Sequence, residues 1–463
     1  MFLLILYIYF VSFLDKPEKT APQLSERAVE QRAKWNIPTD EMDYPVSPMY
    51  MDSLRQMGVI IHHKSRWFNG VTCEMRSDLA QKVAELGFVT DVEMTRDNSA
   101  PIYSPRKRRM PGDGHPIQPP LETDEQLALY NLRPLHNAGF EGQGILMAIC
   151  DGGFQNVNRM SCFREEQELG HFDFTDDTDG FYGSTGSHGT MCLSTISGIM
   201  EDYHGAAVKA DYYLMRSEES EHESPKEMDN LVAALETADS LGVNVFSVSL
   251  GYAYFDNDDW SLRYADLDGT STRSSLAATI AARKGMLVCA AAGNEGDSQW
   301  HFIDSPADAD SILTVGAVDV NGNMSAFSSW GPSADGRIKP EVCAVGVQAA
   351  VISPQGYVTH ANGTSFATPL LAGLAASLWS ALPDENAMQI RERIIRSANH
   401  YTSPNNHRGY GIPNAWKAYT MSPSDVERIQ PSEVSSQKIL RNGQIVIVRD
   451  NKAYTILGLE IGE

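Results

Sequence analysis

The chain has 463 residues, of which 42% are hydrophobic and 21% are charged, a balance typical of a globular protein. The formal net charge of −23 argues against a nucleic-acid partner, because such proteins present a basic face to the phosphates. Six cysteines in so long a chain do not indicate a disulfide scaffold, and their spacing does not indicate a zinc site. We expect Cys150, Cys192 and Cys289, which lie in apolar segments, to be buried free thiols.

The first segment, residues 1–20, has two interpretations of equal weight. The apolar run over 1–14 has the length of a signal-peptide core and is too short to span a membrane. It lacks a preceding basic region and a following cleavage site of small residues. In the second interpretation, residues 9–14 are the first strand of the next domain, and the true start lies upstream of Met1.

Residues 21–97 have the pattern of a small α+β unit. Strands are predicted over 57–62, 69–74 and 88–93, and a helix capped by Ser77 and Asp78 is predicted through Ala84. Residues 98–120 form a linker rich in Pro and Gly that carries the basic run Arg106-Lys107-Arg108-Arg109. Such a run is usually a solvated loop, and it is also a place where cleavage is expected.

The main body, residues 121–422, alternates apolar runs with helical patterns. Strands are predicted over 144–150, 210–215, 243–250, 286–292 and 311–318. This alternation predicts an α/β fold with a mainly parallel sheet covered by helices on both faces, and ligands then bind at the carboxyl ends of the strands. Residues 423–463 are separate, with a β-hairpin predicted from strands over 443–449 and 453–457.

A serine precedes the most apolar helical pattern of the chain. Residues 362–369 read NGTSFATP, which places Ser365 after a glycine turn and at the start of a helix that we expect to be buried. Taken alone, Ser365 is a helix N-cap or a nucleophile with roughly even weight.

This segment resembles the nucleophile motif of the subtilisin-like serine peptidases, the subtilase family. Three further motifs of that family occur upstream in the family's order: a strand ending at Asp151, the sequence SHGT containing His188, and the sequence AAAGNEG containing Asn294. The resemblance covers about residues 121–420. It implies a three-layer subtilisin-like fold, with 21–97 as an inhibitor-like pro-domain and 423–463 as a C-terminal β-hairpin tail similar to sorting signals of Bacteroidetes.

The resemblance also implies residue roles. Asp151, His188 and Ser365 correspond to the catalytic triad, and Asn294 forms the oxyanion hole with the backbone N–H of Ser365. The implied substrate-binding residues are Ser249, Leu250, Gly251, Ala291, Gly293 and Asp304.

This sequence departs from the family at two of these positions. The family usually has Thr or Ser after the catalytic aspartate, whereas Gly152 and Gly153 follow here. Asp304 falls where the family builds the wall and floor of the S1 pocket, so it predicts a preference for Arg or Lys at P1; the alternative is that Asp304 caps a loop.

The resulting hypothesis is a secreted or cell-surface bacterial serine endopeptidase made as a zymogen. Its partners are polypeptide substrates and its own pro-region as inhibitor, with no nucleic acid and no integral membrane span. No cofactor is required. Two clusters of aspartates suggest solvated acidic loops, and bound Ca2+ is the alternative interpretation. The first cluster is Asp173, Asp176, Asp177 and Asp179. The second is Asp256, Asp258, Asp259, Asp266 and Asp268. The rival hypotheses are a catalytically silent binding module and a non-proteolytic hydrolase or transferase that uses the same triad.

Overall fold

The computed structural model of the chain describes residues 6–99, 122–184 and 186–422, and the backbone of four short strands between 437 and 461. The basic run over 106–109 lies outside the described residues. Within those ranges, no helix combines the length and the apolar character needed to cross a bilayer.

The N-terminal unit is a four-stranded antiparallel sheet with helices on one face. Its elements are β1 (Tyr7–Phe13), α1 (Glu26–Trp35), α2 (Pro48–Gln56), β2 (Ile60–Ser65), β3 (Gly70–Met75), α3 (Ser77–Ala84) and β4 (Val89–Arg96). The strand order is β2-β3-β1-β4, so β1 lies inside the sheet and pairs with both β3 and β4. This strand over residues 7–13 overlaps the one that the second interpretation of the first segment predicts over 9–14.

Alternation along β1 explains why this strand is buried on both faces. Tyr9, Val11 and Phe13 pack against α2 and α3 in the core of the unit. Phe10 points to the other face, where the guanidinium of Arg273 lies 4.5 Å from its ring centroid. The predicted helix over 77–84 is confirmed, but its N-cap is Arg76, which makes no side-chain capping bond.

Residues 16–44, which we call the strap, leave the sheet after β1 and return just before α2. The strap contains α1, whose N-cap Ser25 accepts a hydrogen bond from the backbone N–H of Ala28. Neither α1 nor α2 was predicted from the sequence.

Residues 122–422, which we call the peptidase body, form a three-layer α/β unit. The elements in chain order are α4 (Glu122–Leu129), α5 (Arg133–Asn137), β5 (Leu146–Asp151), β6 (Glu168–Asp173), α6 (Ser187–Ser197), β7 (Ile199–Met200), β8 (Tyr203–His204), β9 (Asp211–Arg216), α7 (Lys226–Leu241), β10 (Val245–Val248), α8 (Arg273–Arg283), β11 (Leu287–Ala291), β12 (Leu313–Val318), β13 (Val342–Val345), β14 (Ala349–Ile352), β15 (Val358–Ala361), α9 (Thr364–Ala381), α10 (Ala387–Ser397) and α11 (Ala415–Thr420).

The central sheet has seven parallel strands in the order β13-β12-β11-β10-β5-β9-β6. Successive residues of β5 face opposite cores: Met147 and Ile149 pack in the cluster that contains α6 and α9, while Ala148 and Cys150 pack in the cluster that contains α7 and α8. Burial on both faces explains why these strands have continuous apolar runs. The predicted α/β class and parallel sheet are confirmed.

All five predicted strands of the peptidase body are present as β5, β9, β10, β11 and β12. The sequence analysis did not predict β6 or β13–β15, which are at most six residues long. In the tail, β17 (Gln444–Arg449) pairs antiparallel with β18 (Lys452–Thr455), as the hairpin prediction requires, between β16 (Gln437–Arg441) and β19 (Glu460–Ile461). The turn at 450–451 lies outside the described residues.

Candidate active site

Three elements bring Asp151, His188 and Ser365 to the carboxyl end of the sheet. Asp151 is the last residue of β5, and His188 is the second residue of α6. Ser365 is the second residue of α9, after the N-cap Gly363, whose φ of 150° favours glycine. The alternative that Ser365 is the N-cap of this helix is therefore wrong.

Asp151 and His188 form a direct hydrogen bond. The distance between Nδ1 of His188 and Oδ1 of Asp151 is 2.8 Å, and the same oxygen accepts the backbone N–H of Gly152 at 2.8 Å. Asp151 is completely buried, and in the described part of the chain its Oδ2 makes no hydrogen bond. A hydroxyl at position 152 could have supplied one, so the departure from the family motif coincides with an unsatisfied carboxylate oxygen.

The environment of His188 favours its protonated form. Burial by itself lowers the pKa of the imidazole, but the charge and hydrogen bond of Asp151, together with the contact to Cys192, outweigh burial and hold the pKa well above its ordinary value of 6.5. Cys192 lies one helical turn further along α6, with its Sγ 3.8 Å from Nδ1 of His188. The thiol adds to the effect of Asp151.

Ser365 lies beside this pair, but its hydroxyl points elsewhere. Its Oγ donates to the backbone carbonyl of Ser249 at 3.4 Å, and it makes no hydrogen bond to His188 among the described contacts. The backbone carbonyl of Ser365 accepts from Cys192 Sγ at 3.3 Å and from Ser249 Oγ at 2.8 Å. Cys192 therefore contacts both the histidine and the backbone of the serine.

Asn294 follows β11, and hydrogen bonds from Thr364 fix the orientation of its side-chain amide. Its Oδ1 accepts hydrogen bonds from the backbone N–H of Thr364 at 2.9 Å and from the Thr364 hydroxyl at 3.1 Å. Because the oxygen and nitrogen of an amide point in different directions, this leaves the NH₂ group of Asn294 directed away from Thr364.

The predicted substrate-binding residues form two adjacent segments after β10 and β11. Ser249, Leu250 and Gly251 follow β10, while Ala291 ends β11 and Gly293 comes two residues later. A third segment links the two, because Tyr252 exchanges backbone hydrogen bonds of 2.7 and 3.0 Å with Ser305, and the N–H of Asp304 donates to Ala292 at 3.2 Å.

Asp304 is partly buried and lies between the two glycines of these segments. A Cβ added to Gly293 would lie 2.6 Å from Oδ2 of Asp304, and one added to Gly251 would lie 2.9 Å from its Cβ. The indole N–H of Trp300 donates to the other carboxylate oxygen, Oδ1, at 3.2 Å. The side chain of Asp304 thus packs directly against the backbone of both glycines, where a Cβ would clash with it.

Two groups of side chains could in principle hold a metal ion among the described residues. Ligand atoms of Asp151, His188 and Cys192 lie within 4.8 Å of one another, as do those of Glu218, Glu223 and Glu227. The first group is the acid–base pair itself. In the second, the Glu227 carboxylate already accepts the backbone N–H groups of Glu219 and Ser224.

The acidic cluster around 173–179 is paired with cations of the chain itself, while Asp173, Asp176 and Asp179 remain exposed. The buried guanidinium of Arg216 pairs with Asp177 and, at 2.8 Å, with Asp179, and the buried ammonium of Lys226 pairs with Asp176 at 2.6 Å. Most of these carboxylates are therefore exposed, as expected of solvated acidic loops, and they also pair with buried cations of the chain, which the sequence analysis did not predict.

The second cluster consists mainly of local turns. Both carboxylate oxygens of Asp268 accept bonds from Thr270 and Ser271, and Asp256 accepts the backbone N–H of Glu223 at 3.1 Å. Asp258 and Asp259 are exposed, as expected of a solvated loop.

Sequence reasoning did not identify three residues that shape the site: Cys192, Thr364 and Trp300. A signal existed for Cys192, which is four residues after His188 and so on the same face of a helix. Trp300 is four residues before Asp304 in an irregular segment, where spacing predicts no contact.

Comparisons with known proteins agree with this geometry. The sequence pattern of a family described as the Subtilase family matches residues 142–411. The pattern of a second family, described as the peptidase S8 propeptide domain of Bacteroidota, matches residues 8–110.

Among characterised relatives, a thermostable alkaline protease of Halalkalibacterium halodurans is 27% identical over 294 residues, which are 63% of this chain and 72% of that protein. Subtilisin DY of Bacillus licheniformis is 30% identical over 268 residues, covering 56% and 85% of the two chains. The crystal structure of MycP1 from the ESX-1 type VII secretion system superposes with a TM-score of 0.55 at 22% identity, over 70% of this chain and 93% of that one. This last likeness supports the fold alone.

Proposed function

The chain belongs to the subtilase family of serine endopeptidases, and from that premise we propose that it is a secreted or cell-surface bacterial zymogen whose catalytic triad is Asp151, His188 and Ser365. The observation that carries the proposal is the 2.8 Å bond between Asp151 and His188, formed beside a serine at the start of a buried helix.

In the proposed mechanism, His188 is the general base. With Nδ1 held by Asp151, the imidazole presents Nε2 to the serine side, and it must be neutral to accept a proton. The Ser365 hydroxyl first leaves the carbonyl of Ser249 by a change of side-chain rotamer and then gives its proton to Nε2 as Oγ attacks the peptide carbonyl. His188 then protonates the leaving amine, and water releases the acyl-enzyme by the same steps.

The negative charge that develops on the carbonyl oxygen requires fixed donors. We assign this role to the NH₂ group of Asn294 and the backbone N–H of Ser365, which is at the amino end of α9. Thr364 fixes the Asn294 amide through two hydrogen bonds, so this donor needs no reorganisation during the reaction.

The substrate would bind as an extended strand between the segments 249–251 and 291–293. Peptides bind exposed strand edges through backbone hydrogen bonds, and side-chain pockets give the specificity. We propose that the P1 side chain binds beside Asp304, whose side chain packs against Gly251 and Gly293, and that Asp304 gives a preference for Arg or Lys.

The N-terminal unit would act as inhibitor until it is removed. Its sheet lies on α7 and α8: the Glu236 carboxylate accepts from the Ser65 hydroxyl at 2.5 Å and from the backbone N–H of Trp67 at 3.1 Å. At the end of β4, Arg96 pairs at 2.5 Å with Glu219, which lies between β9 and α7. The end of β4 therefore lies near the carboxyl end of β9.

A fluorophosphonate probe and N-terminal sequencing test the proposal together. We expect the wild-type protein to react covalently at Ser365 and to shorten between residues 98 and 121, while Ser365→Ala stays full length and unlabelled. A folded wild-type protein that neither reacts nor shortens would refute the enzymatic role.

The binding-module alternative has two observations in its favour. The Ser365 hydroxyl is turned away from His188, and Oδ2 of Asp151 lacks a hydrogen bond in the described structure. If the catalytic pair cannot align, the protein would bind extended peptides without cleaving them. Calorimetric titration with an uncleaved peptide, together with absent probe labelling, would support this alternative.

A further inference from the structure

The strap, residues 16–44, contacts the peptidase body at the end opposite the active site. Its partners lie near the ends of α7 and α8 and at the amino ends of β5 and β10, whereas the triad lies at the carboxyl ends of the strands. Strands of four to six residues at ~3.3 Å per residue separate the two regions by roughly 13–20 Å.

Arg27 of α1 connects the strap to the edge of the central sheet. Its guanidinium donates to the backbone carbonyls of Gly242 and Gly144, each at 3.1 Å, and to the side-chain oxygen of Asn244 at 2.5 Å. That Asn244 oxygen also accepts the first backbone N–H of β5, from Leu146. The strap therefore completes the hydrogen bonding where two central strands begin.

A buried ionic network holds the middle of the strap. Arg32 donates to both carboxylate oxygens of Asp239 in α7 at 2.8 Å and to Asp43 of the strap at 2.7 Å. Lys284, at the end of α8, pairs with Asp43 at 2.8 Å and with Asp40 at 2.9 Å. Removing one member of such a buried network leaves an unpaired charge, so the network specifies this one arrangement.

Two further sets of contacts hold the strap in this position: backbone packing against Gly242 and hydrogen bonds at the base of the strap. A Cβ added to Gly242 would lie 2.8 Å from the backbone nitrogen of Ala28, so the two backbones touch where that glycine ends α7. At the base of the strap, the Lys16 ammonium donates to the carbonyls of Glu41, Tyr44 and Arg66. The strap is thus closed on itself and fixed to the pro-region sheet.

Building on the proposed zymogen, we propose that the strap is a second anchor of the pro-region, which docks on a surface of the peptidase body formed by Gly144, Asp239, Gly242, Asn244 and Lys284. Cutting the linker alone then leaves the pro-region fragment bound at two separate surfaces. Because both belong to one folded fragment, losing one contact leaves the other in place, and rebinding is intramolecular. Release of the active site therefore depends on the strap as well as on the linker.

The test uses the full-length Ser365→Ala protein with a recognition sequence for a sequence-specific protease inserted between residues 100 and 121. The peptidase part is immobilised through its C-terminus, the linker is cut, and the loss of the pro-region fragment is followed by surface plasmon resonance. Because Ser365→Ala cannot cleave itself, the result does not depend on whether the proposed function is right.

The strap variant is Arg27→Ala combined with Lys34→Ala, which also removes the bond from Lys34 to the carbonyl of Pro383. We expect the fragment to leave roughly ten to a hundred times faster than from the parent, as charged hydrogen bonds imply. The matched control is Arg55→Ala, an exposed arginine of α2 whose ion-pair partner among the described residues is Asp52 of the same helix; the rate should not change.

Equal release rates for the strap variant and the control would overturn the proposal, as would immediate release of the parent fragment on cutting. If the strap variant does not fold, hydrogen exchange on the uncut parent replaces it. Amides of residues 28–35 that are protected as strongly as those of α7 support the second anchor, and amides that exchange like free peptide refute it.

Discussion

Replacing Asp304 by asparagine isolates the charge that the S1 hypothesis requires. Asparagine has nearly the same shape and can still accept the indole N–H of Trp300, which lies 3.2 Å from Oδ1. What is lost is the negative charge on Oδ2, the oxygen next to Gly293. The substitution therefore tests electrostatic recognition with little change in packing.

The expected magnitude follows from the partly exposed position of Asp304. A cation about 4 Å from the carboxylate would gain about 4 kcal/mol at an effective dielectric constant of 20. Solvent screening and the cost of desolvating the substrate cation reduce this to the range of a charged hydrogen bond, about 1.5–3 kcal/mol. Since 1.4 kcal/mol is tenfold, kcat/KM for a P1-Arg peptide should fall roughly 10- to 150-fold.

The assay compares peptides that differ only at P1, with Arg or Leu, across the wild type, Asp304→Asn and the control Asp297→Asn. Asp297 is an exposed carboxylate of the same connection, so its loss changes the net charge equally. We expect the P1-Leu rate to change little in either variant. A wild type that cleaves both peptides equally well, or an Asp304→Asn variant that loses both activities in parallel, would refute the assignment.

Three further predictions concern acid–base chemistry, thiols and packing. Because His188 acts only when neutral and Asp151 raises its pKa above 6.5, kcat/KM should fall on acidification with a midpoint above pH 6.5, and Asp151→Asn should lower that midpoint in a pH–rate profile. All six cysteines are buried, and burial raises the pKa of Cys192 to about 11. Mass spectrometry should therefore find no iodoacetamide adduct on the native protein at neutral pH. Labelling of native Cys192 would contradict the structure. Gly373→Ala should lower Tm in calorimetry, because the added Cβ would lie 2.7 Å from the Cβ of the facing alanine. Overpacking costs about 1–3 kcal/mol, which exceeds the gain in helix propensity of about 1 kcal/mol. The control is Gly87→Ala, whose added Cβ would lie in open space.

The sequence allowed the central strands and the helix after Ser365 to be predicted because each carries its signal locally. Five strands of the parallel sheet are continuous apolar runs, and α9 has almost no polar face. The helix α1 escaped prediction because its sequence, ERAVEQRAKW, is mostly polar, and Ala28 and Arg32 are its buried residues. Its stability depends on partners such as Asp239 and Gly242, which are more than 200 residues away along the chain.

Similar reasoning explains why the ion pairs of the acidic cluster around 173–179 were not predicted. Asp176 and Asp177 resemble a solvated loop because the neighbouring residues are polar, but their partners Lys226 and Arg216 come from distant elements. Charge runs report local composition, whereas the pairing of charges depends on which elements the fold brings together.

By itself, the sequence determined the α/β class, the order of the strands along the chain and the identity of the residues offered for acid, base and nucleophile. Only the tertiary structure decided that Asp304 packs against two glycines, that the Ser365 hydroxyl faces Ser249, and that the strap contacts the amino end of the sheet. The physical reason is the distance along the chain over which each effect acts. Propensity and periodicity depend on a few neighbouring residues, whereas side-chain direction and long-range ion pairs depend on contacts that exist only after the layers have packed.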